Sequence, residues 1–197
     1  MIPATAPVPG DDVQRFDSAA LLDWTRAVMS RSGLAAADAT LAADLIVETE
    51  LRGVRTHGLI RLPTYVDKLA SGEYNPTPQM RWSRRPGVIH LDADEAMGQI
   101  AAARAIDAAC EMAAAQPSVL CFGTRLGHLG AVGGFALRAA RRGFFAVVLQ
   151  RTPPMMGLPG YRGPVIGNSP LAFASPVPGS APIVFDMACS VAARATC

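Results

Sequence analysis

The sequence predicts an α/β protein in which a helical N-terminal region precedes a mixed-sheet region. Up to about residue 70, apolar residues recur at helical spacing. Beyond residue 86, short apolar segments of strand length alternate with helical segments. Of the 197 residues, 50% are hydrophobic, which is enough for a buried core. We therefore expect a disordered leader over residues 1–15, a helical region over 16–78 and a mixed α/β region over 79–197.

Three helices are predicted in the helical region. Asp17 or Ser18 can cap the first, which runs until Gly33. The second spans residues 36–51, and the third spans 57–69, where Pro63 is tolerated only if the helix begins nearby. The apolar positions that recur at helical spacing in the first helix are Leu21, Leu22, Trp24, Ala27 and Val28. The predicted inner stripe of the second helix is Leu41, Leu45, Ile46 and Thr49.

The α/β region begins after a proline-containing segment. Residues 73–86 hold three prolines and no helical pattern, so they are predicted to link the two regions. Strands are then predicted at 88–91, 119–122, 144–149, 171–174 and 183–185, with helices at 97–115 and 133–142.

Composition narrows the functional class. The 18 basic and 16 acidic residues leave a charge of +2, too small for a nucleic-acid-binding surface. Charged residues, Pro or Gly interrupt every apolar segment before it reaches the roughly 18 residues that a membrane span requires. Residues 1–12 lack the pattern of a secretory signal. The four cysteines show no CxxC pairing and no zinc-ligand spacing, which argues against disulfides and a metal site. These features predict a cytoplasmic protein without nucleic-acid or membrane partners.

His57, Arg61 and Tyr65 stand four residues apart, so on a helix they would line one face. A guanidinium offers a planar fork to a carboxylate, and an imidazole and a phenol can bond a neighbouring oxygen. A site that binds a 2-keto or 2-hydroxy acid requires such groups. The spacing alone favours the alternative, a surface helix with a solvated Arg and His and a half-buried Tyr.

His128 stands between glycines, directly after a predicted strand and before a helix. Such loops often carry function, and the pKa of histidine suits proton transfer. The alternative is a structural or solvated histidine, which is the commoner case when no partner is known.

Other motifs are weaker. The glycines at 127–133 only approximate a dinucleotide fingerprint, since no acidic residue follows about 20 positions on, and the P-loop, nucleophile-elbow and HExxH motifs do not occur. The stretch 185–190 is typical of a strand end that delivers polar groups to a loop. It suits a ligand and, equally, an Asp cap on a helix.

Taken in order, the blocks resemble the malate/L-lactate dehydrogenase family, which is distinct from the Rossmann-type enzymes. That family includes ureidoglycolate dehydrogenase, sulfolactate dehydrogenase and piperideine-2-carboxylate reductase. Residues 50–65 match its pattern of an acidic residue, Arg-Gly, Ser/Thr-His-Gly and Arg-Leu-Pro-x-Tyr, and 72–76 match Gly-x-x-Asn-Pro. The later blocks are Met97-Gly98-Gln99, His128 with Gly130, Gly167-Asn168-Ser169-Pro170, and Asp186-Met187-Ala188 with Ser190. The resemblance covers residues 16–193.

The resemblance implies a non-Rossmann nicotinamide-binding fold and hydride transfer between NAD or NADP and a small 2-keto, 2-hydroxy or cyclic 2-imino acid. His128 would be the general acid/base, and His57 and Arg61 would orient the substrate with Tyr65 as a further contact. The cofactor would touch Thr152 and the turn of Asp186, Met187 and Ala188. A homodimer is the implied assembly.

The chain departs from the family pattern near the base and at its end. Arg125-Leu126-Gly127-His128-Leu129-Gly130 stands where the family usually has Ser-Asn-His-Phe-Gly. The family also continues beyond the position of Cys197 through a Gly-Lys and a C-terminal half that supplies a lysine to the cofactor, so we expect the C-terminal part of the family fold to be missing. The competing hypothesis is a non-catalytic homologue that acts as an interaction or regulatory module, pairing with a full-length relative.

Overall fold

A computed structural model describes residues 15–190 of the chain. Within them, helices α1 to α5 and strands β1 to β6 form a mixed α/β arrangement, as the sequence predicts. The helices are α1 Ser18–Arg31, α2 Ala36–Leu51, α3 Leu62–Ala70, α4 Gly98–Ala113 and α5 Gly133–Ala140. The strands are β1 Arg81–Arg85, β2 Val88–Ala96, β3 Leu120–Leu126, β4 Ala146–Leu149, β5 Leu171–Val177 and β6 Ser180–Met187. Most of the predicted leader lies outside the described residues.

Helix α1 begins where its cap predicts, but it buries a different stripe. The Asp17 side chain accepts a hydrogen bond from Ala20 N, so it caps the first turn. Thr25 and Met29 are buried, whereas Trp24 and Ala27, two apolar positions of the predicted helical pattern, are exposed. The Thr25 hydroxyl donates to Leu21 O at 2.8 Å, which satisfies its polar group inside the core. In α2, the predicted inner positions Leu45, Ile46 and Thr49 are buried.

The predicted third helix is shorter than expected at its beginning. Two 3₁₀ turns, Arg55–His57 and Leu59–Arg61, precede α3, so His57, Arg61 and Tyr65 do not share the face of one α-helix. Gly58 separates the turns with ψ −134°, a non-helical conformation. Pro63 is accepted at the second position of α3, where no N–H is needed.

The first sheet contains three strands from the middle of the sequence. Its strand order is β1-β2-β3, with β1 antiparallel and β3 parallel to β2, so the sheet is mixed as predicted. Strand β1 lies within the segment predicted to be a link. The sequence does not predict this strand, because its residues carry no apolar alternation and four of the five are exposed. The boundary between residues 78 and 79 stays a prediction.

The second sheet has the order β4-β5-β6, with antiparallel neighbours. One face packs against α5 through a cluster that includes Phe135, Ala172, Ala174 and Val184. The other face is apolar and open: it carries Val147, Leu149, Ile183, Phe185 and Met187, each at least 40% exposed. We call it the outer face of the second sheet.

No helix within residues 15–190 is both long enough and apolar enough to cross a lipid bilayer.

Candidate active site

Three segments that are distant in sequence bring His57, Tyr65 and His128 together. The imidazole rings of His57 and His128 stack with centroids 5.7 Å apart and an interplanar angle of 27°. The Tyr65 hydroxyl lies 3.0 Å from His128 Nδ1, within hydrogen-bond distance. Tyr65 is 1% exposed, so its hydroxyl approaches His128 from inside the core. The three predicted residues thus form one site without sharing a helix.

The loop that carries His128 is fixed by its backbone. The Tyr74 hydroxyl accepts a hydrogen bond from His128 N at 2.9 Å. A Cβ at Gly127 would lie 2.4 Å from the Tyr74 ring, so residue 127 must be glycine if Tyr74 is to reach this position. The small residue before His128, which departs from the family pattern, is therefore matched to Tyr74.

The turn that carries His57 is held by side chains on both sides. The Thr56 hydroxyl lies 2.9 Å from His57 Nδ1. The Glu50 carboxylate at the end of α2 accepts a hydrogen bond from Leu59 N at 3.0 Å. A Cβ at Gly58 would lie 2.3 Å from Glu50 Oε2, so glycine makes room for this carboxylate. Thr56 and Tyr65 each occupy an Nδ1, which leaves Nε2 of each ring for a ligand.

Arg61 lies close enough to influence the charge of all three rings. Its Nε donates to Thr56 O at 2.8 Å, which fixes the base of the guanidinium and leaves the two terminal nitrogens for other partners. After the larger effect of burial, the Arg61 charge acts to lower the pKa of His57, His128 and Tyr65, and for Tyr65 it opposes the effect of burial. A cation beside two neutral imidazoles makes the site attractive to an anion.

Burial dominates the protonation of the site. Desolvation, followed by the charges of His57, Arg61 and Lys68, lowers the pKa of His128 from 6.5 to about 4. Burial also lowers the pKa of His57, with Arg61 acting in the same direction and Asp186 in the opposite one. For Tyr65, burial is the main cause of a raised pKa. At neutral pH the site therefore holds two neutral imidazoles and a neutral phenol.

The predicted cofactor residues meet at one end of the second sheet. Asp186 lies near the end of β6, and its carboxylate accepts a hydrogen bond from Gly133 N at 2.8 Å. Because Gly133 begins α5, the Asp186 carboxylate at this strand end also caps a helix, as one of the two interpretations predicts. The other interpretation, that the 185–190 stretch binds a ligand, stays a prediction. The negative charge of Asp186 acts to raise the pKa of His57, against the larger effects of burial and of Arg61.

Asn168 connects the remaining members of that set. Its Oδ1 accepts a hydrogen bond from the Thr152 hydroxyl at 2.9 Å, and its backbone oxygen accepts one from Cys189 N at 2.8 Å. Met187 pairs with Leu171 at the same end of the sheet, and Ala188 follows directly. Thr152, Met187 and Ala188 are thus gathered around one loop cluster.

Lowering the pH is expected to destabilise the fold through His128. Its pKa is about 4 in the folded protein and 6.5 as the ordinary value, so its contribution to stability is complete above pH 6.5 and is lost as the pH falls toward 4. Urea titrations should give a free energy of unfolding that falls by about 2 kcal/mol from this source between pH 7 and pH 4.5. His128→Gln should lack this component. If the free energy of unfolding had the same pH dependence in both proteins, the lowered pKa of His128 would not be its cause.

Comparison with known proteins identifies the family to which the chain belongs. The family model described as malate/L-lactate dehydrogenase matches residues 16–197. The chain belongs to this family. The resemblance inferred from the ordered sequence blocks is therefore confirmed, as is the non-Rossmann fold class.

Individual members of the malate/L-lactate dehydrogenase family match across most of the chain. A ureidoglycolate dehydrogenase (NAD⁺) from Escherichia coli K12 is 32% identical over 166 residues, which cover 84% of this chain and 48% of that protein. A (2R)-3-sulfolactate dehydrogenase (NADP⁺) from Chromohalobacter salexigens is 31% identical, with coverage of 85% and 50%. The malate dehydrogenase structure from Pyrococcus horikoshii superposes with a TM-score of 0.91 at 29% identity, covering 97% of this chain and 55% of that one. The chain spans about half the length of the curated relatives it matches.

Several residues of the family blocks contact the site, although the sequence did not predict a role for them. In the sequence, Thr56, Tyr74 and Gln99 are members of family blocks with no predicted role. In the structure, Thr56 lies against His57, and Tyr74 accepts a hydrogen bond from the backbone of His128. Gln99 is buried beside Tyr65 and acts on its pKa. Their position within ordered family blocks was the available signal.

Proposed function

We propose that this chain carries the substrate-handling part of an NAD(P)-dependent oxidoreductase. The substrate would be a small 2-keto or 2-hydroxy acid, or a cyclic 2-imino acid. The observation that carries the proposal is the stacked pair of His57 and His128, with Nδ1 of each ring engaged and Arg61 beside them. Two ring nitrogens and a guanidinium then face a single small anion. Family membership supports the reaction class.

His128 would exchange the proton through Nε2. When Nε2 accepts a proton from a hydroxyl group, Nδ1 carries the other proton and donates it to the Tyr65 oxygen, 3.0 Å away. A pKa of about 4 keeps His128 neutral at neutral pH, which is the protonation state that a base in oxidation requires. Tyr65 would then position the base rather than contact the substrate.

Arg61 would bind the carboxylate, and His57 would hold the reacting oxygen or nitrogen. The free guanidinium nitrogens can form a two-pronged hydrogen bond with a carboxylate. That carboxylate would offset the positive charge that lowers the pKa of His128. Binding of a 2-keto acid would therefore favour the protonated His128 that reduction requires, which couples substrate binding to proton donation.

The loop cluster at the end of the second sheet fits a nicotinamide nucleotide. Thr152 and Asn168 offer hydroxyl and amide groups, and the turn at Met187 and Ala188 offers backbone. When bound there, NAD or NADP would supply or accept the hydride. The chain's own groups would orient the two reactants and exclude water between them. Relatives named for NAD⁺ and for NADP⁺ are both found, so either cofactor is compatible.

Purified chain should oxidise NADH or NADPH in the presence of pyruvate, oxaloacetate or a cyclic imino acid. Arg61→Met should raise the KM for the acid about 10- to 100-fold, since hydrogen bonds to charged groups contribute about 1.5–3 kcal/mol. Arg55→Met is the matched control, because Arg55 is exposed on the preceding 3₁₀ turn and should leave KM unchanged. Failure of the wild-type chain both to turn over and to bind either cofactor would refute the enzyme proposal.

The outer face of the second sheet supports a second candidate function. An exposed apolar face of several side chains marks a protein-interaction surface or an aggregation hazard. The alternative is a non-catalytic homologue that pairs with another chain, including a full-length relative. It predicts that the chain binds neither cofactor nor 2-keto acid alone, whereas the enzyme proposal predicts binding of both.

A further inference from the structure

A small, mostly apolar cavity lies beside His57, between α2, α4, α5 and the loop that follows His128. It offers about 10 Å³ to the centre of a water molecule, and its wall includes His57, Gly130 and Gly134. One buried water needs roughly 10–15 Å³ of such space. The cavity is therefore the size of one water molecule and too small for a substrate carboxylate.

Two buried polar atoms in this wall have no hydrogen-bond partner among residues 15–190. They are Nη1 of Arg52, the residue that directly follows α2, and Oε1 of Gln99, in the first turn of α4. Gln99 is only 4% exposed, so bulk solvent does not reach its amide freely. Buried groups of this kind are normally paired with protein or with an ordered water.

The two atoms demand a ligand that both accepts and donates. A guanidinium N–H requires an acceptor, whereas an amide oxygen requires a donor. A carboxylate, phosphate or chloride only accepts, and an ammonium ion only donates. We propose that the cavity holds one water molecule, which accepts a hydrogen bond from Arg52 and donates one to Gln99.

Gln99 links this water to the acid/base histidine. A Cβ built on Gly130 would lie 3.5 Å from Gln99 Nε2 and 3.7 Å from the Tyr65 hydroxyl, so both polar groups border the same small space, and Gln99 acts to lower the pKa of Tyr65 against the larger effect of burial. With Oε1 held by the water, Nε2 faces Tyr65, whose hydroxyl lies 3.0 Å from His128 Nδ1. Arg52 and Gln99 are thus positioning residues for His128. The positioning role rests on the proposed function, whereas the presence of the water does not.

A crystal structure of the wild-type chain, at a resolution that shows ordered solvent, tests the water. We expect one density peak at about 2.7–3.2 Å from both Arg52 Nη1 and Gln99 Oε1. A cavity without such a peak, or one closed by direct contact between the two side chains, would overturn the proposal.

Titration of the His128 imidazole by NMR tests the positioning role without any turnover. Gln99→Met removes the amide donor to the Tyr65 oxygen, which then accepts more readily from a protonated His128, so the pKa of His128 should rise by about half a unit. The exposed Gln79 supplies the control, since Gln79→Met should leave the titration unchanged. Arg52→Lys keeps an N–H donor for the water and should titrate like wild type.

A folded Gln99→Met protein that titrates like wild type would overturn the positioning role. If Gln99→Met does not fold, Arg52→Met replaces it and Arg52→Lys is the control. The pKa of His128 should then change in Arg52→Met and not in Arg52→Lys, and wild-type titration of both proteins would overturn the positioning role. An inactive chain with the water in place would instead count against the proposed function alone, so the two failures are distinguishable.

Discussion

His128→Asn should lower kcat/KM about 10²- to 10⁴-fold, the range that a positioned general acid or base contributes. Asn keeps a polar side chain in the stacked position beside His57 but cannot exchange a proton with the substrate. The loop should remain in place because Tyr74 bonds its backbone and not the ring. We would measure consumption of NADH or NADPH with the acid that the wild-type chain reduces best.

The remaining histidine provides a matched control for this prediction. His90 lies exposed on β2 and stacks on Phe122, and the structure gives it no contact with His57 or His128. His90→Asn should therefore retain wild-type turnover. Equal turnover by His128→Asn and wild type would show that the proton is exchanged elsewhere.

Gly98→Ala should cost about 3 kcal/mol of unfolding free energy or more, at the upper end of what overpacking costs. A Cβ at residue 98 would lie 2.2 Å from Gly127 O and 2.4 Å from His128 O. Both atoms belong to backbone, so a side-chain rotation cannot relieve the clash. The start of α4 and the His128 loop would have to separate, which would also displace the imidazole from Tyr65. Urea denaturation monitored by circular dichroism measures the loss.

Gly134→Ala is the matched control for this substitution. Gly134 also lies in the first turn of a helix, but its added Cβ would meet only Arg52 Nη1, at an ordinary 3.5 Å. Since alanine is the better helix former, this change should be neutral or slightly stabilising. A Gly98→Ala protein as stable as Gly134→Ala would contradict the close packing of α4 on the His128 loop.

Local patterns were sufficient for much of the secondary structure. Helix α2 has the predicted bounds because apolar periodicity is a property of one continuous segment. Strand β1 was missed because a mostly exposed strand at a sheet edge has no apolar alternation to detect. The 3₁₀ turns were missed because Gly58 and the Glu50 carboxylate define them through a contact made after folding.

The sequence by itself determined the family, because ordered blocks such as 50–65 and 186–190 are a linear property of the chain. It also named His57, Arg61 and His128 as candidates, although their spacing alone favoured solvated side chains. Only the tertiary structure decided that His57 stacks on His128, that Tyr65 lies behind the base, and that burial lowers the pKa of His128. The reason is physical: stacking, hydrogen bonding and desolvation depend on distances between segments that are far apart in sequence, and periodicity carries no information about those distances.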